Sequence, residues 1–374
     1  MPNLSNIFHL GIKELRSLYR DPVLSVFILL AFTVLIFVAG KGASLELNNA
    51  PIAIVDEDRS PLSLRLINSL YPPYFKTPEV IDFAGIDRVL DKGRYTFVMV
   101  IPANFHRDIL ATRQPEIQLN VDATQMTQAF IGAGYIQAIL NGEINEYLRG
   151  YRAKTALPVE LALRVRFNPT LTSEWFGGVM ELINIITMLS VILTGAALIR
   201  EREHGTLEHL LVMPLTPAEI MFSKVWAMAL VVLLASILSL YFVIKGLLGM
   251  PIAGSVPLFI LATALMLFST TSLGIFLGTV ARTMPQLGLL MLLIIMPMQM
   301  LSGGATPYES MPEAVQYIML AAPTTHFVRI AQAILYRGAG FETVWPNFLI
   351  IFALGAVFFS ASLLVFRRSL AAES

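Results

Sequence analysis

Residues 200–224 read REREHGTLEHLLVMPLTPAEIMFSK, from Arg200 to Lys224. Apolar runs of spanning length flank this segment, Trp175 to Ile199 before it and Val225 to Ile244 after it. An ionised group at the bilayer centre costs at least about 2.5 kcal/mol. The segment therefore belongs in water or at the interface, and the flanking runs belong in the membrane. Its local chemistry is explicit. Glu201, Glu203 and Thr206 precede Leu207, Leu210 and Leu211, whose spacing is helical. This pattern predicts an amphipathic helix with acidic residues in its first turn, where the helix dipole favours them. Pro214 and Pro217 end that helix. Thr216-Pro217-Ala218-Glu219 then opens another, with Thr216 as N-cap, Pro217 at the first helical position and Glu219 completing a capping box. The expectation is two short helices joined by a proline turn and lying flat on one membrane face.

Composition agrees with a membrane protein. Of 374 residues, 56% are hydrophobic and only 14% charged, against roughly a quarter charged in soluble domains. The formal net charge is zero, which gives nucleic-acid binding no electrostatic support. The chain has no cysteine, which excludes disulfides, thiolate metal sites and cysteine nucleophiles. It has no G-x-x-x-x-G-K-[ST] phosphate loop either, so nothing assigns ATP hydrolysis to this chain itself. His204, Glu208 and His209 come near a zinc-protease pattern, but the two histidines are five apart rather than four. That spacing turns the second about 140° from the first around a helix. The remaining histidines, His9, His106 and His326, supply no obvious third ligand.

Working outward toward the N-terminus, residues 3–20 place Leu4, Ile7, Phe8, Ile12, Leu15 and Leu18 near helical spacing, with Lys13, Arg16 and Arg20 on the polar side. This reads as an interfacial helix. Asp21-Pro22 starts a first span over 22–40, read as an uncleaved anchor because its polar lead is long and more spans follow. Residues 41–173 alternate short apolar strands with helical stretches, the mark of an inserted α/β domain. Strands are expected at 52–55, 80–83, 95–101, 117–121 and 161–167. A helix is expected from about 125 to 154, broken or softened by Gly132, Gly134 and Gly142. Asp56, Glu57 and Asp58 read as a polar turn before a helix capped by Ser60.

The remaining spans fall at about 175–199, 225–244, 256–280, 285–302 and 346–366, giving six within an α-helical polytopic chain. Lys13, Arg16, Arg20, Arg200, Arg202, Lys224, Arg282, Arg367 and Arg368 then all fall on one side. The positive-inside rule makes that side cytoplasmic, with both termini on it and the 41–173 domain outside. The second span carries Glu181, Asn184, Thr187 and Thr194 along one face. An intramembrane carboxylate is costly and often functional, so Glu181, Asn184 and Thr187 are candidates for a substrate path. Glu181 also lies close enough to Trp175 and the outer end to reach water. Residues 303–340 begin with Gly303-Gly304, and Val315 to Ala322 is too short to span. The expectation is a helix dipping into the outer leaflet and returning through Phe327 to Tyr336.

The pattern E-x-E-x-G-T-x-E-x-L-x-x-x-P, carried by Glu201, Glu203, Gly205, Thr206, Glu208, Leu210 and Pro214, resembles the cytoplasmic loop of ABC-type exporter permeases of the type-2 class. The order of spans and the large domain between the first two extend the resemblance over essentially the whole chain. The resemblance implies a coupling helix in this loop that docks on a separate ATP-binding subunit, with Gly205 allowing close approach, Glu201, Glu203 and Glu208 making polar contacts, and Leu207, Leu210 and Leu211 seating the helix. It also implies a re-entrant outer gate. Pro307, Glu309, Met311, Pro312 and Pro323 are similar to that element. The implied assembly pairs this chain with a second copy or paralogue and two ATPase subunits, which would hold the ATP and magnesium, in a bacterial inner membrane. A periplasmic adaptor and an outer-membrane channel are implied by analogy alone. The alternative reading is a membrane-anchored sensor or scaffold whose outer domain binds a ligand without transport.

Overall fold

The computed structural model describes residues 3–42, 47, 49–122, 126–149, 172–203, 215–304 and 306–373. The chain divides into two compact units, one formed by Met1–Ala43 with Arg166–Ser374 and the other by Ser44–Val165.

The first unit opens with α1, Leu4–Tyr19, capped by the Asn3 side chain. Asp21 caps the next helix and Pro22 begins it, giving α2, Pro22–Gly42, the first span. Within α2 the turn Ala31–Leu35 is π-helical.

The second unit is built on a sheet. Its elements are β1 (Ile52–Asp56), α3 (Pro61–Ser69), β2 (Glu79–Val80), α4 (Ile86–Asp91), β3 (Phe97–Ile101), α5 (Phe105–Leu110), β4 (Gln118–Val121) and α6 (Met126–Arg149). The strand order is β2-β1-β3-β4. β1 runs parallel to β2 and β3, while β3 and β4 are antiparallel. Strand residues alternate between faces, and helices cover both. Ile52, Ile54, Phe97 and Met99 pack with Leu62, Leu66, Phe105 and Ile136. Ala53, Val55, Val98 and Val100 pack with Ile86 and Tyr95. Two expectations are corrected here. The strand at 80–83 is only Glu79–Val80, because Phe83–Gly85 forms a 3₁₀ turn. The three glycines do not break α6. A helical glycine loses only about 1 kcal/mol against alanine, and Gly132 lies so close to the Phe97 ring that a Cβ there would stand 2.3 Å from it. The strand expected at 161–167 lies outside the described residues.

The first unit resumes with α7, Ser173–Glu203. It continues with α8 (Pro217–Leu247), α9 (Val256–Val280), α10 (Met284–Met300), α11 (Glu313–Met319), α12 (Pro323–Leu335) and α13 (Phe341–Glu373). α2, α7, α8, α9 and α13 are long and apolar enough to cross a membrane. α10, expected as a span, is a shorter apolar helix of 17 residues, about 25 Å of rise against roughly 30 Å of hydrocarbon. α11 and α12 meet at a bend of 85°. The stretches 315–322 and 327–336, expected as the limbs of a dip, fall on the helices Glu313–Met319 and Pro323–Leu335, a bent pair whose geometry fits a broken span as well as a re-entrant loop. α7 and α9 sit innermost. They touch through backbone, since a Cβ on Gly278 would lie 2.8 Å from the Gly195 carbonyl oxygen and one on Gly274 would lie 2.7 Å from that of Val191. Small residues allow such approach where lipid supplies no drive for helix association. Across the same seam the Ser190 and Thr270 hydroxyls are 2.6 Å apart.

Candidate functional site

The two ends of the 200–224 segment are not loop. α7 stays helical through Glu203, and α8 begins at Pro217. The second helix is therefore not a short surface helix, as the sequence suggested, but the first turns of a span. Its start is as expected. The Thr216 hydroxyl accepts from the Glu219 backbone N–H, and the Glu219 carboxylate accepts from the Thr216 N–H at 2.6 Å. After this capping box no residue breaks the helix before the membrane, so it simply continues. The Glu219 carboxylate also accepts from the Asn3 N–H at 2.7 Å and the Asn6 side-chain amide at 3.3 Å. This ties the start of α1 to the start of α8. Trp226 completes the seam. Its indole N–H donates to the Ile7 carbonyl at 3.1 Å, its ring stacks on Phe8 at an interplanar angle of 3°, and Gly11 leaves the room it needs.

At the centre of this arrangement lie four charges. Lys224 is 1% exposed. Its ammonium sits 2.9 Å from Glu14 Oε1 and 2.8 Å from Glu201 Oε2. Lys13 Nζ reaches Glu201 Oε1 at 2.8 Å. Glu14 and Glu201 are both buried. Three helices thus contribute two cations and two anions to one neutral cluster. Neutrality is what lets Lys224 sit within α8 at all, because an isolated buried charge carries a desolvation cost of several kcal/mol. Burial pushes the Glu14 carboxyl above the usual carboxylate range, and Lys224 beside it only partly offsets this. Burial draws the Lys13 ammonium down, but the hydrogen bond and charge of Glu201, with the charge of Glu14, outweigh it and hold Lys13 above its ordinary value.

Neighbouring polar residues tie the same region to two other places. Arg200 pairs with Asp21, the cap of α2, at 3.5 Å. Arg202 donates to the Ala281 carbonyl at 3.0 Å, and the Glu203 carboxylate accepts the Met284 N–H at 3.3 Å, at the first turn of α10. So of the residues read as coupling groups, Glu201 and Glu203 have their carboxylates engaged within the chain. Gly205, Thr206, Leu207, Glu208, Leu210, Leu211 and Pro214 lie outside the described residues.

The other candidates separate. Asn184 donates to Glu181 at 3.4 Å, and Gln299 of α10 donates to the Asn184 carbonyl at 2.9 Å. Thr187 is buried and donates to the Ile183 carbonyl one turn back. Asn184 therefore meets the end of α10 through its backbone carbonyl, while Thr187 is satisfied within its own helix. Among the residues read as an outer gate, Pro307, Glu309 and Pro312 are exposed, and Met311 and Pro323 are buried. Tyr308 donates to the Gln316 carbonyl at 2.9 Å, and Gln316 donates to that of Met311 at 2.8 Å. The bend itself is held by His326, 1% exposed, whose ring nitrogens lie 3.0 Å from the Leu320 carbonyl and 3.0 Å from the Asn347 side chain. In the second unit the Asp56 carboxylate accepts from the Asp58 and Arg59 N–H groups and from Ser63, a turn that uses its own charge.

The sequence reading missed the four-charge cluster, although a signal was present. Gly11, Glu14 and Leu18 form the buried stripe of α1, so Glu14 stands at helical spacing on the apolar side. Lys224 sits at the very edge of an apolar run. A lone acid on an apolar stripe and a lone base at the start of a span are each other's natural partner.

Known proteins match this sequence along nearly its whole length. Residues 23–364 match the family described as ABC-2 family transporter protein. Inner membrane transport permease YhhJ of Escherichia coli K12 is 60% identical over 370 residues, covering 99% of either chain. From the same organism, probable multidrug ABC transporter permease YbhR is 30% identical over 364 residues, 95% of this chain and 96% of the relative. Probable multidrug ABC transporter permease YbhS is 26% identical over 366 residues, 96% of each. The likeness runs from the first span to the last and takes in the segment between α7 and α8, so this polytopic helical chain belongs to the ABC-2 family of transporter proteins.

Proposed function

We propose that this chain is the permease subunit of an ATP-driven exporter that moves a small drug-like or lipid-like molecule out of the cytoplasm or inner membrane by alternating access. Family membership implies an ABC ATP-binding partner. In this reading the partner docks on residues 200–224, and the Ser44–Val165 unit lies on the outer side of a bacterial inner membrane, with both termini inside. The observation that carries the coupling role is the four-charge cluster. It joins both helices that border the 200–224 segment to α1. A displacement of that segment would be passed to three helices together. Residues 303–340 act as the outer gate in the same scheme, and Glu181 and Asn184 line the path. A second permease copy or paralogue completes the unit, and a periplasmic adaptor with an outer-membrane channel would receive the substrate.

The test is mild-detergent extraction of the tagged chain from its host, followed by transport in inverted vesicles. Co-purification of a P-loop ATPase and ATP-dependent uptake of a lipophilic dye support the exporter. An intact chain that brings down no such ATPase and moves nothing would favour a sensor or scaffold instead.

A further inference from the structure

A groove of about 410 Å³ lies between α2, α7 and the first turn of α10. Its walls are Leu24 and Phe27 of α2, Ile192, Leu193 and Ala196 of α7, and Met284 of α10. Leu193 is its buried floor, while Phe27 stands open at the side. Asp21 and Arg200 line its mouth. These two stand where the apolar runs of α2 and α7 end, so the mouth is at the membrane interface. The helix from Ile192 to Arg200 rises roughly 12 Å. The groove therefore passes through most of one leaflet's ~15 Å of hydrocarbon.

The mouth is charged and the rest is apolar. Arg200 Nη1 lies 3.5 Å from Asp21 Oδ2, longer than the roughly 2.7–2.9 Å of a close charged hydrogen bond. Asp21 is also the cap of α2, its other oxygen accepting the Leu24 N–H at 3.0 Å. The ion pair is loose, and both side chains stay partly open, 34% exposed for Arg200 and 36% for Asp21. Arg16 and Arg20 stand one turn apart at the end of α1, just before Asp21, and both are exposed. Among the described residues no carboxylate pairs with either. Asp21 offsets Arg200, and the two further guanidinium groups leave this rim net positive.

We infer that the groove binds an anionic phospholipid, its phosphate on the Arg200 guanidinium and one acyl chain along Leu24, Phe27, Ile192 and Ala196 over Leu193. A guanidinium fork matches phosphate oxygens, and basic pockets between spans suit anionic headgroups. A soluble anion gains nothing from the apolar walls. A zwitterionic lipid that reached Arg200 with its phosphate would bring its cation toward Arg16 and Arg20, where like charges repel. Such binding needs neither transport nor a partner subunit, so the purified chain can show it.

The experiment places the full-length protein in nanodiscs doped with phosphatidylglycerol or phosphatidylcholine carrying the same diazirine-bearing acyl chain, then maps the labelled peptides. The expected result is labelling around Phe27 and Ile192–Ala196 that is about fivefold stronger for phosphatidylglycerol, the value of one basic side chain at a lipid surface. Arg200→Gln should bring phosphatidylglycerol down to the level of phosphatidylcholine. Asp21→Asn keeps the helix cap but removes the competing carboxylate, so it should raise phosphatidylglycerol labelling. That sign separates a lipid anchor from a structural tie, which either substitution would only loosen, and it decides the matter even where Arg200→Gln does not fold. Ala196→Phe should block both lipids by filling the groove. Equal labelling of the wild type by the two lipids would reduce the groove to ordinary bilayer contact and overturn the assignment. So would Asp21→Asn labelling that stays level or falls. The chain has no native cysteine, so a Phe27→Cys variant can form only its own crosslinks. Disulfide-linked dimers of that variant, with neither lipid labelling the wild type, would identify the groove as a face between two copies and also overturn the assignment.

Discussion

Lys224 Nζ stands 2.8 Å from Glu201 Oε2, although the two residues border a segment that leaves one span and enters the next. The contact closes the mouth of that segment. Glu14 joins from the opposite side at 2.9 Å, so the N-terminal helix is held to the mouth as well. Two cations and two anions balance, and the arrangement is sensitive to losing any one of them.

Lys224→Met should destabilise the protein by about 3–5 kcal/mol, because two buried carboxylates lose their shared cation. The loss should be largely recovered in the double variant Lys224→Met with Glu14→Gln, which leaves Lys13 and Glu201 as a balanced pair. Thermal unfolding in detergent reads both. Equal loss in the single and double variants would show that packing, not charge balance, holds the three helices.

The Glu14 carboxyl also gives a pH signature. Its folded-state pKa is raised above the ordinary 4.5 by burial, so the folded chain binds its proton more tightly than the unfolded chain does. Stability contributed by that proton is complete below about pH 4.5 and is lost as pH rises through the folded-state value. The groups facing Glu14 are Lys224, Lys13 and Glu201. Relative to Glu14→Gln, whose side chain cannot titrate, the wild type should lose melting temperature over that window and then run parallel to the variant at higher pH. Parallel curves throughout would mean that Glu14 titrates normally.

What could be read beforehand follows the range of the interactions involved. The cap at Thr216 and the start at Asp21-Pro22 rest on three or four adjacent residues, and both stand where expected. The strands at Ile52 and Phe97 rest on local apolar runs and are present, while the weaker run at Val80 gives only two strand residues. The reach of the spans over Glu201 and Lys224 is hidden for a different reason. These charges read as part of a surface segment, yet partners 188 and 210 residues away in sequence neutralise them. The place of Glu14 on the apolar stripe of α1 signals that it has a buried partner, but periodicity within one helix does not say which residue that is. The π-helical turn in α2 is likewise invisible, since Ala31–Leu35 contains neither glycine nor proline to mark it.

Gly278 and Gly288 provide a matched pair. A Cβ on Gly278 would stand 2.8 Å from the Gly195 carbonyl oxygen, whereas one on Gly288 would meet nothing within 4 Å. Helix propensity alone favours alanine by about 1 kcal/mol at either position. Gly288→Ala should therefore be neutral or stabilising. Gly278→Ala should destabilise by about 1–3 kcal/mol, because α7 and α9 must be pushed apart. Opposite signs in detergent unfolding establish the close crossing, and two stabilising substitutions would rule it out.

His326 tests the bend between α11 and α12 separately from the cluster. The Leu320 carbonyl can only accept, so the ring nitrogen 3.0 Å from it donates, and the other nitrogen meets Asn347 of α13 at 3.0 Å. The 85° turn between α11 and α12 interrupts the helical hydrogen-bond ladder, and the imidazole takes up the Leu320 carbonyl. His326→Leu keeps the volume but removes both bonds, which should cost about 1–3 kcal/mol. If residues 303–340 gate the outer side, this variant should still co-purify the ATPase, because Glu14, Glu201 and Lys224 are untouched, while ATP-dependent uptake into vesicles falls. Loss of both together would make His326 a residue of general folding. Loss of neither would remove the bend from the transport cycle.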